Sequence, residues 1–256
     1  MSLTQEQVQQ FYEQGYVVVR KVIADDDIPR YRAAYERVVE KVKANPSPIY
    51  GTRLMKGETW GCNPLLHPDL YEPEFTEHIG SPILLAALRS ILGEELRVAG
   101  LKAIWSDVHM EYDLIWHRDG PDDAFTPDGS QEHIQFNTAL YPDSCFRLIP
   151  GSHRRPLTEQ ELAQSRTGVA SLPGELVASL EPGDALFMHS LLFHRGKAEI
   201  GTFRRTLHTI LARADKPASL DDVERQRAWY HEQGLDQKLS PVVQQLFTAF
   251  FDSTSG

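Results

Sequence analysis

Between residues 96 and 213 the chain breaks into short β-like runs separated by turn signals, and this pattern constrains the fold more than any other feature. "LRVAGLKAIWSDVHM", "HIQFNTALY", "FRLIPG", "GELVASL", "DALFMH" and "RRTLHTILA" are rich in β-branched and aromatic residues. "EPGD" at 181–184 suits a Pro-Gly type II turn. Many short strands at regular spacing point to a sandwich or barrel. The flanks read as helices. Thr4 and Gln7 form a capping box ahead of an apolar face of Val8, Phe11 and Tyr12, and Gly15 ends that helix. "YVVVR" follows as a strand. A second helix opens near "DDDIPR", presents Tyr31, Tyr35, Val38, Val39 and Val42 on one face, and stops at "NPSP". "SPILLAALRSILG" is a third, capped by Ser81, opened by Pro82 and closed by Gly93. Residues 50–80 show no clear period and read as a long loop, a common place for function. The last 40 residues return to helix, with Ser240 and Pro241 opening the final one. Helices, then strands, then helices predict one α+β domain over 1–256: a mostly helical part to 95, a β core over 96–213 and C-terminal helices from 214.

Composition narrows the function. The net charge is −10 and there is no cluster of Lys and Arg, which argues against a nucleic-acid partner. No apolar run approaches the ~18 residues of a membrane span, and the N-terminus lacks the apolar stretch of a secretion signal. Cys62 and Cys145 form no CxxC and are too few for a disulfide framework. These features lead to the expectation of a cytoplasmic monomer or homodimer acting on a small molecule.

"WHRDG" at 116–120 is the segment with chemistry in it. Residues two apart on a strand share a face, so His117 and Asp119 present an imidazole and a carboxylate to one point, just before Gly120 and Pro121 end the strand. A third metal ligand should come from a later strand, and "GDALFMHSLLFHRG" offers His189 and His194. Two histidines and one carboxylate on one face of an octahedron is the arrangement of non-haem Fe(II) oxygenases. The competing reading of each residue is structural: His109, His133 and His208 read as satisfied structural histidines, and His189 as a core group or one that orients a ligand.

Four motifs in order extend this reading: "WHRDG", "RLIPGSH", "LEPGDALFMHSLLFH" and "FRRTLHTIL". Together with the opening "LTQEQVQQFYEQGYVVVRKVI", they resemble the phytanoyl-CoA dioxygenase family of Fe(II)- and 2-oxoglutarate-dependent oxygenases, over roughly residues 3–213 with weak similarity between 43 and 80. The resemblance implies a double-stranded β-helix, the cupin-like jelly roll, with flanking helices. It implies Fe(II) as metal, 2-oxoglutarate as co-substrate and O₂ as oxidant, with release of succinate and CO₂. Carried over residue by residue, the metal ligands fall on His117, Asp119 and His194. The retained Asp119 favours hydroxylation over halogenation; desaturation, cyclisation and epoxidation stay open.

In the resembled family an arginine some ten residues after the distal histidine holds the far carboxylate of 2-oxoglutarate, because a guanidinium pairs bidentately and stays charged when buried. Arg204 and Arg205 lie 10 and 11 residues after His194. Adjacent strand residues face opposite ways, so one of them points inward. The family's usual spacing favours Arg205; the downstream "RRTL" pattern favours Arg204, which is the preferred reading. It gives an interior face of Arg204, Thr206 and His208, with Phe203, Arg205, Leu207, Thr209 and Leu211 packed under the N-terminal helices. "YPDSCF" departs from the family by shortening the turn before "RLIPGSH". Arg118 is read as a surface ion-pair residue or a contact for an anionic substrate, and Trp60, Trp105, Trp116 and Tyr112 as pocket or core. Two rival functions are a cupin-like metal-dependent hydrolase using the same triad on water and a non-enzymatic small-molecule binding protein.

Overall fold

Local signals fold the N-terminal flank. In the computed structural model, which describes residues 2–63 and 66–253, helix α1 spans Gln5–Gln14 with the Thr4/Gln7 capping box closed in both directions. Gly15 ends it at φ 81°, a conformation that disfavours a side chain; a Cβ there would also stand 2.6 Å from His153 Nδ1. Strand β1 (Tyr16–Val19) follows, then α2 (Ile28–Ala44), which buries Tyr31, Tyr35, Val38, Val39 and Val42. A hairpin comes next, β2 (Arg53–Met55) and β3 (Glu58–Cys62), then α3 (Pro73–Ile79) and α4 (Pro82–Leu92).

This corrects the reading of 50–80 as loop. The hairpin turns at Lys56 and Gly57, both at positive φ, and β3 adds to the edge of the main sheet. Its strands are too short for alternation to register as a pattern.

The β region comprises β4 (Leu96–Ser106), β5 (Tyr112–Asp113), β6 (His133–Ala139), β7 (Asp143–Leu148), the short helix α5 (Glu159–Gln164), β8 (Leu176–Leu180), β9 (Ala185–Met188), β10 (His194–Ala198) and β11 (Arg204–Arg213). Helices α6 (Leu220–Glu232) and α7 (Pro241–Asp252) close the chain. The strands form two antiparallel sheets, one in the order β1-β9-β6-β11-β4-β3-β2 and one in the order β5-β10-β7-β8. This is the double-stranded β-helix with flanking helices. Gly183, at φ 88°, makes the turn into β9, as the Pro-Gly pair requires.

The larger sheet has two interiors. Its outer face meets the helices: Val98, Trp105, Phe136, Phe187, Leu207 and Leu211 share one apolar cluster with residues of α2, α4, α6 and α7. Its inner face meets the smaller sheet through Ala139, Leu186 and Met188 against Phe146, Leu148 and Leu180. Tyr35 of α2 locks the helical layer to the sheet. Its hydroxyl donates to Ile104 O (2.7 Å) and accepts from the backbone N–H of Thr206 (3.3 Å), at a paired position of β4 and β11. Tyr35→Phe strands these buried groups and should cost about 1–3 kcal/mol in urea unfolding, with the fold retained.

Candidate active site

The site begins with a backbone contact. The N–H of His117 donates to His194 O and the N–H of His194 to His117 O, both at 3.0 Å, which stitches the segment after β5 to the start of β10. The Asp119 N–H donates to Ser190 O at 2.8 Å and holds the carboxylate on the same side. Each histidine then donates its Nδ1–H to a carbonyl two residues earlier, His117 to Ile115 O (2.9 Å) and His194 to Leu192 O (2.8 Å). A carbonyl only accepts, so these bonds leave the Nε2 lone pair of each ring free. One ligand atom from each of His117, Asp119 and His194 lies within 4.8 Å of the others. Burial, reinforced by the neighbouring His117, lowers the His194 pKa to about 4, so its ring is neutral at neutral pH.

Arg118 points the other way and corrects its reading as a surface or substrate-contacting residue. It is fully buried, and its guanidinium donates to the carbonyls of Asp122 (2.9 Å), Ala124 (2.5 Å), Ser152 (2.6 Å) and Arg155 (2.8 Å). It therefore clamps the loop that follows Asp119. His189 also stands off the triad. Its Nε2 lies 3.0 Å from Ser130 O and 3.1 Å from the Thr126 hydroxyl, and its Nδ1 accepts from the Leu191 N–H. "IPGSH" is structural: Ser152 Oγ accepts from the Phe193 N–H (2.8 Å), and His153 Nε2 donates to Tyr12 O (3.0 Å), pinning α1.

The triad opens into a cavity of about 120 Å³ between the two sheets. Arg204 lines it and Arg205 does not. Both are buried. Arg205 turns to the helical side, where it meets Glu36 of α2 (2.7 Å) and Asp107 (2.9 Å). Arg204 Nε donates to Asp143 (2.8 Å) and its Nη1 to the Tyr112 hydroxyl (2.7 Å). Burial works against the charge on Arg204, but Asp143 and Tyr112 outweigh it and raise its pKa. Burial likewise opposes ionisation of Asp143, and Arg204 with the Cys145 N–H and Thr206 hydroxyl pulls its pKa below the usual range.

Trp60 was read as pocket or core and Arg53 lies in the 50–80 segment read as a common place for function, whereas Lys102, Gln135 and Asn137 had no signal in the sequence. Arg53 and Trp60 enter from the β2–β3 hairpin, Lys102 from β4, and Gln135 and Asn137 from β6. Asp143 lies in the "YPDSCF" turn that looked merely shortened. His208, read as a satisfied structural histidine, is corrected: it lines the cavity, and neither ring nitrogen has a hydrogen-bond partner among the described residues. His109 is exposed near Glu58. Of the tryptophans, Trp60 reaches the cavity. Trp105 sits in the helix-side core, and Trp116 stacks on Phe193 with its ring centroid 5.3 Å away.

The sequence model of the phytanoyl-CoA dioxygenase (PhyH) family matches residues 11–207. The chain belongs to this family. A curated relative, the peroxisomal phytanoyl-CoA dioxygenase of Rattus norvegicus, is 24% identical over 242 residues, covering 80% of this chain and 67% of the relative. Among solved structures, EctD from S. alaskensis with bound Fe has a TM-score of 0.67 at 17% identity, covering 85% of this chain and 79% of that one. HygX from Streptomyces hygroscopicus, with nickel and 2-oxoglutarate bound, has a TM-score of 0.62 at 16% identity, covering 83% and 88%. These likenesses establish the shared PhyH-type fold. Family, fold and triad together point to an oxidoreductase, an iron- and 2-oxoglutarate-dependent oxygenase acting on a small metabolite. No helix among the described residues is long and apolar enough to cross a membrane.

The relatives correct one expectation. The curated family members from rat, mouse, cattle and human are all named peroxisomal, which contradicts a cytoplasmic assignment. That assignment rested on cysteine usage and the lack of a secretion signal. Neither bears on peroxisomal import, which a receptor reads from a short address.

The Arg204–Asp143 pair generates a stability prediction. Asp143→Ala leaves a buried guanidinium without its counter-charge and should cost about 3–5 kcal/mol in chemical unfolding at neutral pH. Combining it with Arg204→Met should recover most of that loss; an additive double variant would show that the pair is not coupled.

Proposed function

We propose that His117, Asp119 and His194 hold Fe(II), and that Arg204 anchors the far carboxylate of 2-oxoglutarate in the same cavity. The observation that carries this reading is the triad itself: two imidazoles with Nε2 freed by Nδ1–carbonyl bonds, and one carboxylate, converging beside a buried guanidinium. The donor set suits Fe(II), since three protein ligands on one face leave positions for a chelating co-substrate and O₂. The names of two fold neighbours agree with it: EctD is described with 2-oxoglutarate and 5-hydroxyectoine, and HygX with nickel and 2-oxoglutarate.

With both groups bound, iron and 2-oxoglutarate supply the oxidising power that places one atom of O₂ on a substrate carbon while 2-oxoglutarate leaves as succinate and CO₂. The residues prepare the place. The Ile115 and Leu192 carbonyls orient the two imidazoles. Asp143 aligns the Arg204 guanidinium through Nε and the Tyr112 hydroxyl restrains Nη1, while Nη2 makes no hydrogen bond among the described residues. Trp60, Ile104, Leu114 and Phe146 give the cavity apolar walls that exclude water. Asp119 fills the carboxylate position, which favours hydroxylation over halogenation.

Anaerobic addition of Fe(II) and 2-oxoglutarate should produce the weak visible charge-transfer band of a chelated keto acid. His194→Ala should abolish iron binding; full retention would remove His194 from the ligand set. Arg204→Lys should weaken 2-oxoglutarate binding by more than about tenfold, because a lysine cannot present a planar fork. Arg205→Lys should leave that affinity unchanged, and the reverse outcome would make Arg205 the anchor.

A further inference from the structure

The cavity has a second cationic pole, away from Arg204. On the register of the main sheet, His208 of β11 lies opposite Lys102 of β4 on one side and Asn137 of β6 on the other. These side chains form one cross-strand row that lines the cavity. Arg204 sits four residues along β11 on the same face, a backbone spacing of roughly 13 Å at the rise of a strand. Arg53 joins the row's end of the cavity, with its guanidinium 5.1 Å from the Trp60 ring centroid.

This pole is unsatisfied. Among the described residues neither Lys102 nor Arg53 has an ion-pair or hydrogen-bond partner. Both amide atoms of Asn137, which is 2% exposed, and both ring nitrogens of His208 are buried without partners. Burial, and for Lys102 also the nearby Arg53, lowers the pKa of both cations; Asp119 supports the charge of both, and Asp222, itself paired with Arg225, supports that of Lys102. Polar groups left in this condition cost stability unless a ligand completes them.

Charge counting indicates which ligand. Asp143 neutralises Arg204. Asp119 offsets half of a metal dication. A 2-oxoglutarate dianion then leaves one positive charge unmatched among the metal, Lys102 and Arg53. Resting on the oxygenase reading above, we propose that the substrate is a small amphiphilic monocarboxylate, its carboxylate received by Lys102 and Arg53 with hydrogen bonds from Asn137, and its apolar part against Trp60, Ile104 and Phe146.

Calorimetry on the metal-free protein tests this with hexanoate, octanoate and phenylacetate, each against its primary amide. The acids should bind in preference to the amides. Lys102→Met should weaken acid binding by more than about tenfold, as expected for a lost charge-assisted hydrogen bond. It should leave the 2-oxoglutarate affinity of the iron-loaded protein unchanged. Acids that bind no better than amides to the wild type overturn the proposal, and so does a Lys102→Met variant that loses 2-oxoglutarate affinity instead. A wild-type protein without the charge-transfer band would overturn the oxygenase reading, while the acid–amide comparison on the metal-free protein still decides this one.

Discussion

The reciprocal backbone bonds between His117 and His194 are the constraint on which the site depends. They set two segments distant in sequence directly opposite each other, so that both imidazoles leave the backbone on one face with their ring centroids 4.4 Å apart. A slip of one residue would send one ring to the opposite side. The Asp119–Ser190 bond brings the carboxylate in, and the Nδ1–carbonyl bonds choose the tautomer. Arg118, turned away from the cavity, gathers four carbonyls and braces the loop after Asp119.

Strand β11 is the divider between chemistry and scaffold. Its inner face carries Arg204, Thr206 and His208 toward the cavity side. Its outer face carries Arg205, Leu207 and Leu211 into the helical layer. The helices therefore act on the site without touching it: Tyr35 bonds the backbone at Thr206, and Glu36 pairs with Arg205 one residue from Arg204. Two adjacent arginines thus meet different electrostatic problems. Arg205 is matched by Glu36 and Asp107 near the surface. Arg204 is matched by Asp143 deep between the sheets.

Much of the fold was legible because its signals are local. Thr4 with Gln7, Ser81 with Pro82, and Gly183 after Pro182 act through atoms a few residues away, and their elements appear as read. The jelly roll followed from short runs with turns between them and from the family resemblance. The β2–β3 hairpin escaped because its strands are too short to show a period. Strand β10 escaped because "HRGKA" is polar, carrying a triad histidine and Arg195, which is buried against Asp113 and Glu175.

The sequence by itself determined the alternation of Arg204 and Arg205 on opposite faces of β11. Strand geometry allows no other outcome once a strand is assigned. His117 and Asp119, read as neighbours on a strand, lie instead on an isolated bridge and the bend after it, and the bonds to His194 and Ser190 bring them together. Only the tertiary structure decided what waits on each face. Asp143 meets Arg204, four carbonyls meet Arg118, and among the described residues no hydrogen-bond or ion-pair partner meets the Lys102 or His208 side chain, because burial and pairing depend on segments brought across the sheets from elsewhere in the chain. No residue type announces in advance whether its charge will be matched.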